Sequence, residues 1–298
     1  MKTTLPDLYL LFDVGGTFLK GAAGTAAGEI LRDSFRSVPV DSAAGAGEIL
    51  ASFRELVSAV RTAVPGRVAG VGMTFPGPFD YNRGISRMTH KFASLKDLDM
   101  GEKIRQIPGV GDVPVKFVHD VTCLVSGEMR NGAARGFSNV AVVTLGTGLG
   151  FAVAVDGKVL RSPLGSPANS LWDSPYAGGI LEDRISKRGI AARYRELSGR
   201  DGLSVKEIAD AARAGDAAAA ETFRETGGIL GQILSDKARE YALECILFGG
   251  QISRSFDLLD GALSDGLAGV ETLRHVGTVS DIDHAAFNGI LAELITTV

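Results

Sequence analysis

The sequence predicts an α/β fold with mostly parallel sheets, built as two similar halves. Strand-like apolar segments alternate with segments whose apolar residues recur at helical spacing, and this order is typical of a parallel sheet covered by helices. The order strand, glycine turn, strand, turn, strand at residues 8–38 recurs at residues 139–160. Such an internal repeat indicates two halves of one plan. A chain of 298 residues is long enough for one large domain or two of ordinary size.

The elements of the first half follow from apolar periodicity and turn residues. Pro76, Gly77 and Pro78 mark a strong turn, and seven apolar residues at helical spacing mark the first helix. The expected order is strands at 8–13, 18–24 and 29–38, a helix at 47–64, a strand at 68–74, irregular structure at 79–114, a strand at 115–118 and a helix to about residue 131.

The second half repeats the strand pattern and then becomes rich in helix. Asp156-Gly157 is a hairpin signal between two of its strands. The expected order is strands at 139–145 and 150–155, helices near 179–197, 204–213 and 216–242, a strand at 245–248, a helix near 255–265, a strand near 273–279 and a last helix from about 284.

Composition excludes several classes of protein. The chain is 45% hydrophobic and 22% charged with a net charge of -4, which is ordinary for a soluble globular protein and gives little support to nucleic-acid binding. No apolar run approaches the length of a membrane span, and the N-terminus lacks a signal-peptide pattern, so we expect a cytoplasmic protein. The two cysteines, Cys123 and Cys245, exclude a disulfide framework and a cysteine-rich zinc site.

Glycines follow strands at three places: Gly15-Gly16, Gly146-Thr147-Gly148 and Gly249-Gly250. Each alone is compatible with a plain hairpin or strand–helix turn, but three together favour turns whose bare N–H groups bind phosphate oxygens. The sequence has neither the P-loop pattern G-x-x-x-x-G-K-[ST] nor the dinucleotide pattern G-x-G-x-x-G, because Phe151 occupies the position of its last glycine. Both of those nucleotide sites are therefore excluded.

Two aspartates stand at strand ends beside these turns. Asp13 precedes Gly15 and is expected to hold hydrated Mg²⁺ next to a polyphosphate, with Lys20 either adding charge or simply solvated at the strand edge. Asp120 ends a strand and begins a helix, so it is either an ordinary helix cap or a carboxylate that faces a cleft. In a cleft it would serve as the general base for an attacking hydroxyl.

Several segments resemble known motifs. Asp13-Val14-Gly15-Gly16-Thr17, Leu145-Gly146-Thr147-Gly148 and Ile246-Leu247-Phe248-Gly249-Gly250 resemble the three nucleotide-binding motifs of the actin-like ATPase superfamily. The segments at 75–80, 120–128 and 179–186 resemble the ROK family of sugar kinases and repressors. The likeness runs from about residue 8 to the end of the chain, with its motifs in the expected order.

The resemblance implies two RNase H-like domains with an interdomain cleft, the first formed by residues 1–118 with about 285–298 and the second by residues 119–284. It implies ATP and Mg²⁺ at the glycine turns, Asp120 as the base, a hexose or N-acetylhexosamine as substrate, and a homodimer. A helix-turn-helix would precede residue 13, where little chain is present, so the repressor branch is not expected. The residues implied to contact sugar are Gly77, His90, His119 and Glu182.

Departures from the family pattern leave alternatives open. His119 stands where members usually carry asparagine, and residues 164–172 replace the usual Gly-Glu-x-Gly-His stretch and zinc cysteines, so no structural zinc is expected. His90 is either a sugar contact or an exposed loop residue, and Trp172 either stacks on a sugar or anchors a loop. The alternatives to an ATP-dependent sugar kinase are a non-catalytic sugar-binding sensor and a glucokinase that uses polyphosphate.

Overall fold

The computed structural model describes residues 6–296, which fall into two compact units. Unit 1 consists of residues 1–130, 161–168 and 284–298, and unit 2 of residues 131–160 and 169–283. Residues 1–5 and 297–298, which the predicted first domain includes, lie outside the described residues.

The elements of the first 131 residues give unit 1 its strands and three of its helices. The strands are β1 (Asp7–Val14), β2 (Phe18–Thr25), β3 (Ile30–Pro39), β4 (Arg67–Thr74), β5 (Phe79–Asp80), β6 (Ile85–Ser86) and β7 (Val115–Val118). The helices are α1 (Ala46–Ala63), α2 (Met100–Arg105) and α3 (Asp120–Asn131), and a 3₁₀ turn covers Ala93–Leu95.

Unit 2 contains a second sheet and most of the remaining helix. Its strands are β8 (Val140–Leu145), β9 (Leu149–Val155), β10 (Lys158–Val159), β11 (Pro175–Tyr176), β12 (Gly179–Ile180), β13 (Cys245–Gly249) and β14 (His275–Thr278). Its helices are α4 (Glu182–Ile185), α5 (Lys187–Ser198), α6 (Val205–Arg213), α7 (Ala217–Glu240) and α8 (Phe256–Leu267), with a 3₁₀ turn at Gln251–Ser255. The last helix, α9 (Ala285–Ile295), returns to unit 1.

The sheet of unit 1 has the order β3-β2-β1-β4-β7, in which β2 is antiparallel to its neighbours and the pairs β1–β4 and β4–β7 are parallel. The register aligns Asp13 with Thr74 and Thr74 with Val118. Because carboxyl ends of parallel strands meet at one end of a sheet, this register brings the ends of β1, β4 and β7 side by side.

Helices cover both faces of this sheet. Leu10 and Phe12 of β1 point to the side of α1, where they join a buried cluster with Phe53. Tyr9 and Leu11 point to the opposite side and join a cluster with α9. Successive strand residues face opposite sides, so burial on both sides explains why this strand reads as a continuous apolar run.

The sheet of unit 2 repeats the same plan with the order β10-β9-β8-β13-β14. Here β9 is antiparallel to its neighbours, and the pairs β8–β13 and β13–β14 are parallel. Each unit therefore has the five-stranded mixed sheet of an RNase H-like domain. The predicted α/β fold and the predicted internal repeat are confirmed.

The observed division differs from the predicted domain boundary after residue 118. Helix α3 packs on α9 so closely that a Cβ on Gly127 would lie 2.7 Å from the Gly289 nitrogen, and α3 therefore belongs to unit 1. Residues 161–168 also join unit 1, where the Tyr81 amide donates to the Leu164 carbonyl (2.9 Å) and Arg161 pairs with Glu293.

Two local expectations were wrong. Residues 79–114 contain β5, β6 and α2 rather than only irregular chain; α2 is too short for periodicity to show, and Asp99 caps it through the Glu102 amide (2.9 Å). The helix expected at 179–197 is divided, because Ser186 adopts an extended conformation (φ -80°, ψ 176°) between α4 and α5. Among residues 6–296, no helix is long and apolar enough to cross a membrane.

Candidate active site

Asp13 lies in the row of strand ends in unit 1 and is held by a neighbouring strand. The Thr74 hydroxyl donates a hydrogen bond of 2.7 Å to Asp13 Oδ1, and the Val14 amide donates to the same hydroxyl oxygen at 3.3 Å. The cross-strand neighbour of Asp13 on β2 is Lys20. The adjacent parallel strand β4 thus orients this carboxylate through Thr74 before any ligand binds.

The first glycine turn follows β1 directly. The Gly15 amide donates to the Phe18 carbonyl (3.0 Å), and a Cβ on Gly15 would lie 2.9 Å from that same oxygen. Gly16 is more open, since its Cβ would lie 3.8 Å from the side chain of Lys91. The Thr17 side chain is exposed. The turn therefore presents bare backbone beside Asp13, as a phosphate-binding loop requires.

Asp120 begins α3 at the end of β7, and its side chain is 62% exposed. The Val121 amide donates to Asp120 Oδ1 at 2.7 Å. His119 Nδ1 lies 2.7 Å from the same oxygen, and the histidine side chain is 23% exposed. This contact has the distance of an ion pair but not the angle of a hydrogen bond. The edge of the His119 ring meets the Tyr81 ring, with centroids 5.7 Å apart.

The two carboxylates have opposite pKa shifts. Burial raises the pKa of Asp13, the Thr74 hydroxyl opposes this, and the charge of Asp120 raises it further. Desolvation by the surrounding protein raises the pKa of Asp120, but the charge of His119 and the hydrogen bond from the Val121 amide outweigh desolvation and hold this pKa below its ordinary value. Asp120 is therefore ionised at neutral pH, in the state that accepts a proton.

The donor set at Asp13 suits a magnesium ion. Mg²⁺ prefers oxygen ligands and is usually held by one or two carboxylates together with substrate phosphates and water. Asp13 supplies such a carboxylate, and its raised pKa records an environment in which its negative charge is poorly compensated. No cluster of three or more His, Cys, Asp and Glu side chains suited to a metal ion occurs among residues 6–296, so the phosphates would have to complete the shell.

The second and third glycine turns meet at the strand ends of unit 2. The Gly146 amide donates to the Gly148 carbonyl (3.0 Å), which closes the turn between β8 and β9. Gly250 has φ +81°, and a Cβ there would lie only 2.3 Å from the Leu145 carbonyl oxygen. Only glycine can occupy this position. The turn at Gly249-Gly250 therefore packs directly on the Leu145 backbone, which precedes the turn at Gly146.

A cavity of about 450 Å³ opens beside these turns within unit 2. This volume is in the range of small-molecule sites. Gly146 and Thr147 form one side, and α6 and the 3₁₀ turn after β13 form the others. Four of its five charged lining residues are cationic, namely Lys187, Lys206, Arg213 and Arg254, and the fifth is Asp210.

The Glu182 side chain packs against the second glycine turn. Its Oε2 accepts a hydrogen bond from the Leu149 amide (2.9 Å), and its Oε1 accepts from Arg188 (3.0 Å). A Cβ on Gly148 would lie 2.7 Å from Glu182 Oε2. Each carboxylate oxygen can accept a second hydrogen bond, so Glu182 can brace the turn and still contact a ligand.

The other residues assigned to sugar binding are in unit 1. Gly77 lies in the turn after β4, where its Cβ would be 3.6 Å from the Tyr81 hydroxyl. His90 is exposed in the loop after β6, and none of the described contacts connects it with Asp120. Residues 161–168, which include the first part of the departure at 164–172, form a compact hairpin with Gly165 against Tyr81. Trp172 in unit 2 is 47% exposed.

Sequence reasoning missed Thr74, Tyr81 and Lys187. Thr74 ends a strand parallel to β1, and a count of parallel strand ends would have placed it beside Asp13. Tyr81 contacts His119 only through the chain's tertiary folding. Lys187 follows the segment that resembles the family motif, and no pattern in the sequence connects it with Gly146, whose carbonyl accepts from its amide (2.8 Å).

Comparison with known proteins gives one family. The sequence model described as the ROK family matches residues 9–170 and 174–278. A glucokinase of Thermotoga maritima is 26% identical over 92% of this chain and 92% of its own length. An N-acetylmannosamine kinase of Escherichia fergusonii is 25% identical over 82% of each chain.

A repressor and a solved kinase structure are also similar. The DNA-binding transcriptional repressor Mlc of Escherichia coli is 27% identical over 67% of this chain and 53% of its own length. A ROK family glucokinase from Streptomyces griseus, solved in complex with glucose and AMPPNP, has a TM-score of 0.80 at 24% identity, covering 98% of this chain and all of the other (100%). The fold of this chain is therefore that of the ROK proteins.

Proposed function

The chain belongs to the ROK family, and we propose that it is a sugar kinase that transfers the γ-phosphoryl group of ATP to a hydroxyl of a hexose or N-acetylhexosamine. The observation that carries the proposal is the position of Asp120. This ionised and exposed carboxylate stands at the strand ends beside Asp13 and the first glycine turn. Similar glucokinases and N-acetylmannosamine kinases support the substrate class.

Asp120 is proposed to act as the general base. Its free oxygen accepts the proton of the attacking sugar hydroxyl while that hydroxyl oxygen forms a bond to the γ-phosphorus. The bond from the γ-phosphorus to the bridging oxygen breaks, and ADP leaves with the electron pair. His119 and the Val121 amide contact only Oδ1, so Oδ2 remains available for the proton. General-base help of this kind contributes about 10²–10⁴ in rate.

The glycine turns are proposed to hold the donor. In unit 2, Gly146 and Thr147 line the cationic cavity, which is proposed to take the nucleotide. In unit 1, the turn at Gly15, Gly16 and Thr17 is proposed to contact phosphate oxygens, with Lys20 opposite Asp13. Asp13 is proposed to hold the magnesium ion through water, and the ion, when bound, would neutralise charge on the phosphates.

The sugar side is proposed to be formed by residues around Asp120. Gly77 and His119 are the strongest candidates, because Gly77 lies close to the Tyr81 hydroxyl and the Tyr81 ring meets His119, the neighbour of the base. Glu182 and His90 are kept as sugar contacts on the family pattern. A homodimer is proposed on the same basis, and light scattering of the purified protein tests it.

The direct test is ADP release, coupled to an indicator enzyme, with Mg²⁺-ATP and a panel of sugars. The panel contains glucose, mannose, fructose, allose, N-acetylglucosamine and N-acetylmannosamine. We expect one or two strong substrates, and we expect Asp120→Asn to lower kcat by about 10²–10⁴ while ADP still binds. Asp112→Asn, at an exposed aspartate of the same unit, is the matched control and should be fully active. Full activity of Asp120→Asn would refute the mechanism.

The segment at residues 164–172 supports one alternative. Its Leu164 and Gly165 fold against Tyr81, and the segment replaces the Gly-Glu-x-Gly-His stretch, so we propose a sugar site that differs from that of typical members. Sugar binding measured by calorimetry, without ADP release for any sugar of the panel, would favour a non-catalytic sugar-binding protein. The same assay with polyphosphate in place of ATP tests the other donor.

A further inference from the structure

Lys187 stands out among the cations that line the cavity of unit 2, because no carboxylate of the part of the chain that the structure describes forms an ion pair with it. Lys206 pairs with Asp210 (2.8 Å), Arg213 pairs with Asp257 (2.6 Å), and Arg254 pairs with Asp283 (2.5 Å), between β14 and α9. Among residues 6–296, Lys187 makes no such ion pair. The cavity therefore contains one ammonium group that has no carboxylate partner in the described chain.

The acids closest to Lys187 in the chain are already paired. Arg188, the next residue, contacts both Glu182 (3.0 Å) and Asp183 (2.6 Å). This arrangement leaves Lys187 free to interact with another anion. A flexible ammonium side chain is a common phosphate ligand in proteins, because it can follow the phosphate as a point charge.

The backbone places Lys187 at the second glycine turn. Its amide donates to the Gly146 carbonyl (2.8 Å), and its side chain is exposed where Gly146 and Thr147 line the cavity. Helix α5 begins at Lys187, so the first-turn N–H groups add a positive potential at the same place. A ligand that reaches the turn would meet bare backbone, the helix start and one uncompensated cation together.

We propose that Lys187 binds the terminal phosphates of the nucleotide donor. The inference rests on the proposed function in one respect, namely that the cavity takes a nucleotide. It adds a cationic side chain to a turn that otherwise offers backbone amides and the uncharged Thr147 side chain. It also accounts for a lysine at the first position of α5, where its charge opposes the helix dipole and costs stability.

The test is nucleotide binding by calorimetry, with no sugar present. AMPPNP and AMP are titrated, with Mg²⁺, into the wild type, Lys187→Met, Lys187→Arg and Lys158→Met. We expect Lys187→Met to weaken AMPPNP binding by about 10- to 100-fold, the value of a hydrogen bond to a charged group, and to leave AMP binding unchanged. Lys187→Arg should retain most of the affinity. Lys158 is an exposed lysine on β10 of the same unit, and its replacement should change neither affinity.

Each contrary result shows whether the Lys187 inference alone fails or the proposed use of ATP fails with it. Equal AMPPNP affinity of wild type and Lys187→Met would overturn the role of Lys187 and leave the kinase proposal standing. An equal loss for AMP and AMPPNP would also overturn it, because the defect would then not concern the terminal phosphates. Failure of the wild type to bind AMPPNP would overturn both this inference and ATP as donor. Urea unfolding curves of all variants verify that each is folded.

Discussion

Replacement of Gly250 by alanine should destabilise unit 2 through two separate effects. Gly250 has φ 81° and ψ 167°, a backbone region that is essentially restricted to glycine and costs other residues about 1–3 kcal/mol. The new Cβ would also lie 2.3 Å from the Leu145 carbonyl oxygen and 3.0 Å from the Leu145 nitrogen. These are backbone atoms of a paired strand, so they cannot rotate away as a side chain could.

The second effect has the cost of overpacking, about 1–3 kcal/mol. The two together lower the free energy of unfolding by about 2–6 kcal/mol. The assay is urea unfolding followed by the fluorescence of Trp172, the only tryptophan of the chain, which lies in unit 2. An unfolding midpoint equal to that of the wild type would refute the argument that the glycine is required by geometry.

Gly146→Ala is the matched control for this prediction. A Cβ at Gly146 meets no atom within 4 Å, and the residue does not have a positive φ. Its stability should therefore stay within about 1 kcal/mol of wild type. Because Gly146 lines the cavity, the same substitution should weaken AMPPNP binding. A pair of variants that lost stability equally would contradict the distinction between the two glycines.

Three further substitutions test the electrostatics and packing of unit 1 by thermal or urea unfolding. Asp13→Asn should raise the free energy of unfolding at pH 7, because the raised pKa of Asp13 means that its ionised form is disfavoured in the fold. This gain should vanish as the pH falls below 3.8, where the carboxyl is protonated in both states. An unchanged unfolding midpoint at pH 7 would contradict the prediction. Glu293→Gln should lower the free energy of unfolding by about 1–3 kcal/mol at pH 7, because Arg161 and Ser126 outweigh burial and lower the pKa of Glu293. The loss should shrink below pH 4.5, where Glu293 becomes protonated in the unfolded chain. A loss that stays constant with pH would refute an electrostatic cause. Gly289→Ala should lower the free energy of unfolding by at least about 1–3 kcal/mol, since its Cβ would lie 2.1 Å from the Cys123 carbonyl oxygen. Gly228→Ala on α7 of unit 2 is the control: its Cβ would meet no atom within 4 Å, so it should be stabilising.

The sequence predicted the order and type of nearly all elements around the candidate site. Continuous apolar runs ended by glycine or aspartate identified β1, β8 and β13, because a strand buried on both faces cannot alternate. Element bounds agree within a few residues where the segment is long, as for α1 and α7. The short helix α2 was missed because six residues contain too few turns for a period to be visible.

The sequence by itself determined the fold class, the repeat of the two halves and the places where backbone must be bare, since period, turn chemistry and glycine usage are local properties of the chain. Tertiary structure alone decided which side chains meet. Strand register brought Thr74 to Asp13, and helix packing assigned α3 to unit 1. The pairing of neighbouring acids and bases left Lys187 beside Gly146 without an ion-pair partner among the described residues. Such contacts join residues far apart in the chain or depend on which charges are already paired, and no local pattern encodes either property.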